Sequence, residues 1–120
     1  MSVRALRGAI QVDRNVRDDV IEATAELVRE VLARNEIEPE QLISVIFTAT
    51  PDLTAEFPAY AARAIGITDV PFLCASEIDV PGAMPRVVRL LAHAEIDRSR
   101  EDIRHVYLRG AAALRTDLPR

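Results

Sequence analysis

Between Val3 and Thr50 the apolar period of this chain switches from two to 3.6 and back to two, and that switch is the strongest constraint on its fold. In residues 3–12, Leu6, Gly8, Ile10 and Val12 share one face, and Val3, Ala5, Arg7, Ala9 and Gln11 share the other. That is the pattern of a strand. Residues 15–34 place Val16, Val20, Leu27, Val31 and Leu32 on one side of a long helix, with Ile21, Thr24 and Val28 beside them. Asp18 and Asp19 in its first turns and Arg34 in its last suit the helix dipole. Residues 42–50 alternate at Ile43, Val45, Phe47 and Ala49, a second strand entered from the Glu38-Pro39-Glu40 turn and ended by Pro51-Asp52.

The rest of the chain continues the alternation. Residues 57–65 read as a short helix closed by Gly66, and residues 70–76 as a third strand. Pro81, Gly82 and Pro85 bracket the start of a predicted third helix, which runs to about His93 with Met84, Val87, Val88 and Leu91 as its apolar stripe. Ser99 to Asp102 has the spacing of a small capped turn. Residues 103–109 form a fourth strand, extended or followed by a fifth at 111–115. There is no linker, repeat or low-complexity segment, so residues 1–120 make a single domain. The pattern predicts an α+β fold with a mixed sheet and helices on one face. Apolar residues on the other face predict that it is buried against further copies of the chain.

Composition excludes several functions. The net charge of −4 argues against a nucleic-acid partner, which rewards a basic surface. No apolar run reaches the roughly 18 residues of a membrane span, and Ser2 to Arg7 lacks a signal-peptide core. The single cysteine, Cys74, has no internal disulfide partner. A cytoplasmic protein is expected. All 15 basic residues are arginine, so each must be judged by its position and not by its type.

No metal site is expected, because His93 and His105 lie on different elements and no ligand spacing joins them to Cys74. Cys74 sits in an apolar strand, where an inert thiol is the default. What remains is a set of charges in unusual places. Arg7 lies among small apolar neighbours, either snorkelling to water or meeting an anion. Glu77 and Asp79 follow the apolar run Val70 to Ala75, either as site residues at a strand's C-terminal end or as helix-entry caps. Arg86, Arg89 and His93 fall at i, i+3 and i+7, a basic stripe that is also the pattern of a solvated helix face. Tyr107 reads as a core or interface tyrosine, and Arg115 as a surface residue. Taken jointly, these suggest a pocket rich in arginine and poor in acid–base groups. Such a pocket suits a small polyanion, or a reaction needing orientation and charge stabilisation instead of proton transfer.

Five blocks in order then make a specific match. They are Arg7-Gly8-Ala9; Ala49 to Leu53 with Phe57-Pro58-Ala59 and Arg63; Val70-Pro71, Cys74, Glu77, Asp79-Val80 and Gly82; Arg89; and Arg104 to Leu108 with Ala111, Leu114-Arg115 and Asp117-Leu118. With them the chain resembles, from Arg4 to Leu118, the monofunctional bacterial chorismate mutases of the trimeric α/β class. The resemblance implies a bacillus-type fold, a homotrimer with a pseudo-barrel core, and active sites at subunit interfaces. It implies the rearrangement of chorismate to prephenate, on the route to phenylalanine and tyrosine, with no cofactor. By the same resemblance Arg89 meets the breaking ether oxygen and Glu77 the ring hydroxyl. Arg7 and Tyr107 hold carboxylates, and Leu73, Cys74, Ala75 and Ser76 line the pocket. Phe57 and Ala59 come from the adjacent subunit, and Arg63 and Arg115 act at the rim. Tyr60 and Leu73 depart from the family pattern, which tends to carry lysine and threonine there. Two other readings are an imine/enamine deaminase-like trimer and a non-catalytic metabolite-binding trimer.

Overall fold

Strict alternation along β1 (Ser2–Gln11) sends Leu6, Gly8 and Ile10 to one side of a sheet, where α1 (Arg17–Arg34) lies across them. The computed structural model describes the backbone of residues 2–117 and the side chains of residues 2–114. A Cβ at Gly8 would stand 3.0 Å from Leu27 Cδ1 and 3.1 Å from Val31 Cγ2. Glycine there lets the helix lie directly on the strand. The chain continues through β2 (Leu42–Ala49), α2 (Pro58–Ala64), β3 (Phe72–Ser76), β4 (Val87–Ile96) and β5 (Val106–Leu108). Short 3-10 segments occupy Pro39–Gln41, Arg100–Asp102 and Arg109–Asp117.

The five strands form one mixed sheet in the order β3-β2-β4-β1-β5. Strand β4 runs antiparallel to both neighbours, β1 and β2, while β3 and β5 add in parallel at the two edges. Both α-helices pack on one face. On the other, the segment after β5 packs beside β1, where Ala9, Val87 and Ala111 form a small buried cluster with Tyr107 against it, and the rest of that face is open. Leu6, Ile10, Leu27, Phe47, Val88 and Leu90 form the centre of the covered side. Phe47 meets Phe72 edge-to-face at 5.8 Å. This is the predicted mixed sheet with helices on one face.

The predicted third helix is strand β4. Its apolar positions Met84, Val87, Val88 and Leu91 satisfy helical spacing, but the buried positions Val88, Leu90, Ala92, Ala94 and Ile96 repeat every second residue. A short apolar run fits both periods, and continuation of the alternation past His93 favours the strand. The sheet also needs β4, because it is the element that joins β1 to β2. At the C-terminus, β5 stops at Leu108, Arg109 adopts φ 55°, and the 3-10 segment Arg109–Asp117 replaces the expected extension or fifth strand at 111–115. In β2 the predicted alternation holds for Val45 and Phe47 but not for Ile43, which is exposed. A register shift between Leu42 and Ser44 breaks the parity there.

Asn35, fully buried beyond the end of α1, ties the helix to the approach to β5. Its amide nitrogen donates to Val31 O at 2.8 Å and to Arg104 O at 2.9 Å, and its Oδ1 accepts from Arg104 N at 2.8 Å.

Candidate active site

The correction to β4 moves Arg89 from a helix surface to the middle of the open sheet face. Strand pairing puts Tyr107 opposite Ala9, Ala9 opposite Arg89, Arg89 opposite Thr48, and Thr48 opposite Ala75. These five residues form one transverse row. Arg89 and Tyr107 stand two strand spacings apart, about 10 Å between backbones, with only Ala9 between them. Arg7 pairs with Leu91 on the same face, diagonal to Arg89. Its backbone N–H donates to His105 Nδ1 at 2.9 Å, which continues the β1–β5 contact past Gly8.

Glu77 enters this row from the end of β3. Its backbone N–H donates to Ala49 O at 2.9 Å, so the chain stays attached to β2 one residue beyond the strand. Its side chain turns to the open face, where Oε2 accepts a hydrogen bond from the Thr48 hydroxyl and lies 3.6 Å from Arg89 Nε. Two residues along β2, Thr50 N donates to Val87 O at 3.0 Å and Thr50 Oγ1 accepts from Val87 N at 3.1 Å. The segment Thr48-Ala49-Thr50 therefore grips both Glu77 and the start of the strand that carries Arg89. Thr48 is absent from the residues singled out by sequence. The signal was its parity, opposite to Val45 and Phe47, which places it on the open face.

Arg86, the first member of the predicted basic stripe, has a structural role. It adopts φ 55° before β4, donates its backbone N–H to Asp52 Oδ2 at 3.0 Å, and donates Nε to Val12 O at 2.9 Å. His93 shares the face of Arg89 but lies four residue pairs away along the ladder, with Nδ1 3.3 Å from Ser44 Oγ.

The remaining predicted lining residues gather at the β3 edge. Leu73 and Ala75 point to the open face, while Cys74 points to the helix side and packs on the core. Cys74, Ala75 and Ser76 line a cleft of about 560 Å³ with the segment Ala49–Pro51 and the loop that carries Phe57. Phe57 is 70% exposed. Ala59 is 3% exposed within the chain and belongs to the core cluster. Arg63 on α2 lies over the Phe72 ring at 5.6 Å. The side chain of Arg115 lies outside the described residues. Within one chain, Arg89, Glu77, Arg7 and Tyr107 share the open face, while Phe57 and Arg63 belong to a separate surface at the β3 side.

The Phe57 loop is fastened to the start of α1. Asn15 Oδ1 accepts the backbone N–H groups of Thr54 and Ala55, each at 3.0 Å. Arg17 Nε meets Glu56 Oε1 at 2.9 Å, and the Arg17 guanidinium lies over the Tyr60 ring at 5.1 Å. Glu56 Oε2 accepts the Phe57 N–H at 2.9 Å. That backbone donor, and then Arg17, hold the Glu56 carboxyl below the usual carboxylate range.

Among the described residues no group of three or more His, Cys, Asp or Glu could hold a metal, and no helix is long and apolar enough to cross a membrane. Around Arg89 the open face combines a second guanidinium at Arg7, the phenol of Tyr107 and the Glu77 carboxylate. Such an arrangement can bind an anion and stabilise charge that develops beside Arg89.

A family model described as chorismate mutase type I matches residues 3–118. The chain is 50% identical over 117 residues to the chorismate mutase AroH of Thermus thermophilus, covering 97% of this chain and 96% of the relative. It is 36% identical over 119 residues to the chorismate mutase AroH of Bacillus subtilis, covering 98% and 94%. A solved structure of a chorismate mutase from Clostridium thermocellum superposes with a TM-score of 0.90 at 43% identity, covering 92% of this chain and 98% of that one.

Proposed function

Since this chain belongs to the type I chorismate mutase family, we propose that its conversion of chorismate to prephenate is driven by fixed charges on the open sheet face, with Arg89 at the centre. The observation that carries this reading is the placement of Arg89 Nε 3.6 Å from Glu77 Oε2, in one row with Tyr107. Family membership leaves the imine/enamine deaminase reading without support.

The reaction breaks one carbon–oxygen bond and forms one carbon–carbon bond within a single molecule. It needs no base, nucleophile, metal or cofactor. As the ether bond breaks, negative charge collects on its oxygen and positive character on the ring. Arg89 meets the oxygen and Glu77 sits at the ring hydroxyl, balancing the ring. Charges fixed in these places stabilise the transition state more than the ground state, which is the condition for acceleration. Arg7 and Tyr107 hold the substrate carboxylates and select the chair-like conformer.

Three copies join through their open faces, which carry Val3, Ala5, Ile46, Leu73 and Leu91. The subunits form a pseudo-barrel core with a site at each interface. Phe57 of a neighbour supplies an apolar wall, Leu73, Cys74, Ala75 and Ser76 line the pocket, and Arg63 and Arg115 act at the rim. The enzyme works in the cytoplasm, on the route to phenylalanine and tyrosine.

The test is loss of chorismate absorbance in the presence of a chelator, with light scattering for mass. Turnover well above the spontaneous rate and a threefold subunit mass are expected. A rate equal to the spontaneous one overturns the catalytic reading, and a monomer overturns the interfacial site.

A further inference from the structure

Glu77 is held at its side chain by Thr48, whose hydroxyl donates to Oε2, the same oxygen that faces Arg89 Nε at 3.6 Å. A carboxylate free to turn toward a guanidinium closes to about 2.8 Å and forms two parallel hydrogen bonds. In that closed pair two of the five guanidinium N–H donors are taken up by the protein's own carboxylate. Here the Thr48 hydroxyl donates to the carboxylate oxygen nearest the guanidinium, and the pair stands at 3.6 Å. Thr48 is suited to this by register, because it stands directly opposite Arg89 across the β2–β4 ladder. Its backbone is fixed in the sheet, and the next residue, Ala49, anchors the Glu77 backbone at 2.9 Å.

We propose that Thr48 is a positioning residue for the mutase reaction: it sets the separation of Glu77 from Arg89, which leaves the Arg89 guanidinium open to the ether oxygen and the other Glu77 oxygen open to the ring hydroxyl. The inference rests on the reading that Arg89 and Glu77 act on substrate.

Thr48→Val keeps the shape and the β-branch and removes the donor. In the intact enzyme it lowers kcat by about tenfold or more, the usual scale for a hydrogen bond to a charged group, and leaves KM within about threefold because carboxylate binding by Arg7 and Tyr107 is untouched. Thr48→Ser restores the hydroxyl and recovers most of kcat. In a Glu77→Gln background the further change to Val adds little, since the charge to be positioned is already gone.

Three results overturn the proposal. If Glu77→Gln lowers kcat and Thr48→Val does not, Thr48 does not position the carboxylate and the reading of Glu77 survives. If Thr48→Val costs the same with Gln at position 77, the hydroxyl acts elsewhere. If Glu77→Gln leaves kcat unchanged, the reading of Glu77 fails and this inference falls with it.

Discussion

Arg89 and Glu77 face each other at 3.6 Å, with side chains 42% and 31% exposed within a single chain, a separation too long for a tight charge-assisted bond. Half-exposed pairs of this kind contribute about 0–1 kcal/mol to stability. The pair therefore contributes little to holding the sheet together. Arg89→Ala is expected to leave the urea midpoint almost unchanged and to lower kcat by about a thousandfold, the scale for loss of a donor at a developing oxyanion. Unfolding curves and steady-state rates on the same sample separate the two. A large loss of stability with modest loss of rate would make Arg89 a structural residue.

Tyr107 and Arg89 share a row but sit on strands two apart, and the proposed mechanism has Tyr107 hold a carboxylate away from the breaking bond. A contact made equally in ground and transition states changes KM alone. Tyr107→Phe is expected to raise KM by about tenfold, from one hydrogen bond to a carboxylate, with kcat nearly constant. An equal fall in kcat would place the phenol in the reaction itself.

The alternation of β1 and the core of β2 was legible because one face of each is buried and the other is not. Arg7 and Tyr107 were therefore assigned to the correct strands. The β4 segment reads as a helix because its apolar run, Val87, Val88, Leu90, Leu91 and Ala92, holds positions for both periods, and Pro81, Gly82 and Pro85 resemble a helix start. The error turned Arg86, Arg89 and His93 into one stripe. In the structure Arg86 caps a corner, while Arg89 and His93 lie on the open face. Thr48 was overlooked because a threonine in a strand is ordinary by composition. Its partner, Glu77, lies 29 positions away and becomes a neighbour only when β2 and β3 pair.

Gly8 permits the close approach of α1 to β1, so a methyl group there fits only if the helix side chains give way by a few tenths of an ångström. The Leu27 and Val31 side chains at 3.0 and 3.1 Å must shift to admit it. Gly8→Ala is expected to cost about 1–3 kcal/mol in chemical unfolding, the scale of overpacking a core. The adjacent Arg7 also shifts, so KM is expected to rise. An unchanged midpoint would show that the helix slides freely on the sheet.

Glu56 fastens the Phe57 loop, and its carboxyl is held below the usual range by the Phe57 N–H and by Arg17. A carboxyl with a lowered folded pKa contributes stability above its unfolded pKa and loses it as pH falls through the folded value. The difference in urea midpoint between the parent and Glu56→Gln is therefore expected to be largest near neutral pH. It shrinks as the pH drops below the ordinary carboxylate range. A difference that stays constant with pH would assign the effect to shape and not to charge.

Asn35 is fully buried, and its side chain makes three hydrogen bonds, two of which hold the Arg104 backbone. Asn35→Ala leaves the Arg104 N–H and C=O without their partner beneath the sheet edge. A buried polar group stripped of its partner costs about 1–3 kcal/mol, and a total loss of about 3 kcal/mol is expected in urea unfolding. The loss is also local. Arg104 lies three residues before Tyr107, and β5 is a three-residue edge strand. Amide exchange should therefore accelerate at 104–108 far more than in the central β1–β4 ladder. KM should rise with it as Tyr107 loses its fixed position, while kcat, set by Arg89 on β4, changes less. Uniform acceleration across the sheet would show instead that Asn35 supports the whole fold and has no special hold on the β5 edge.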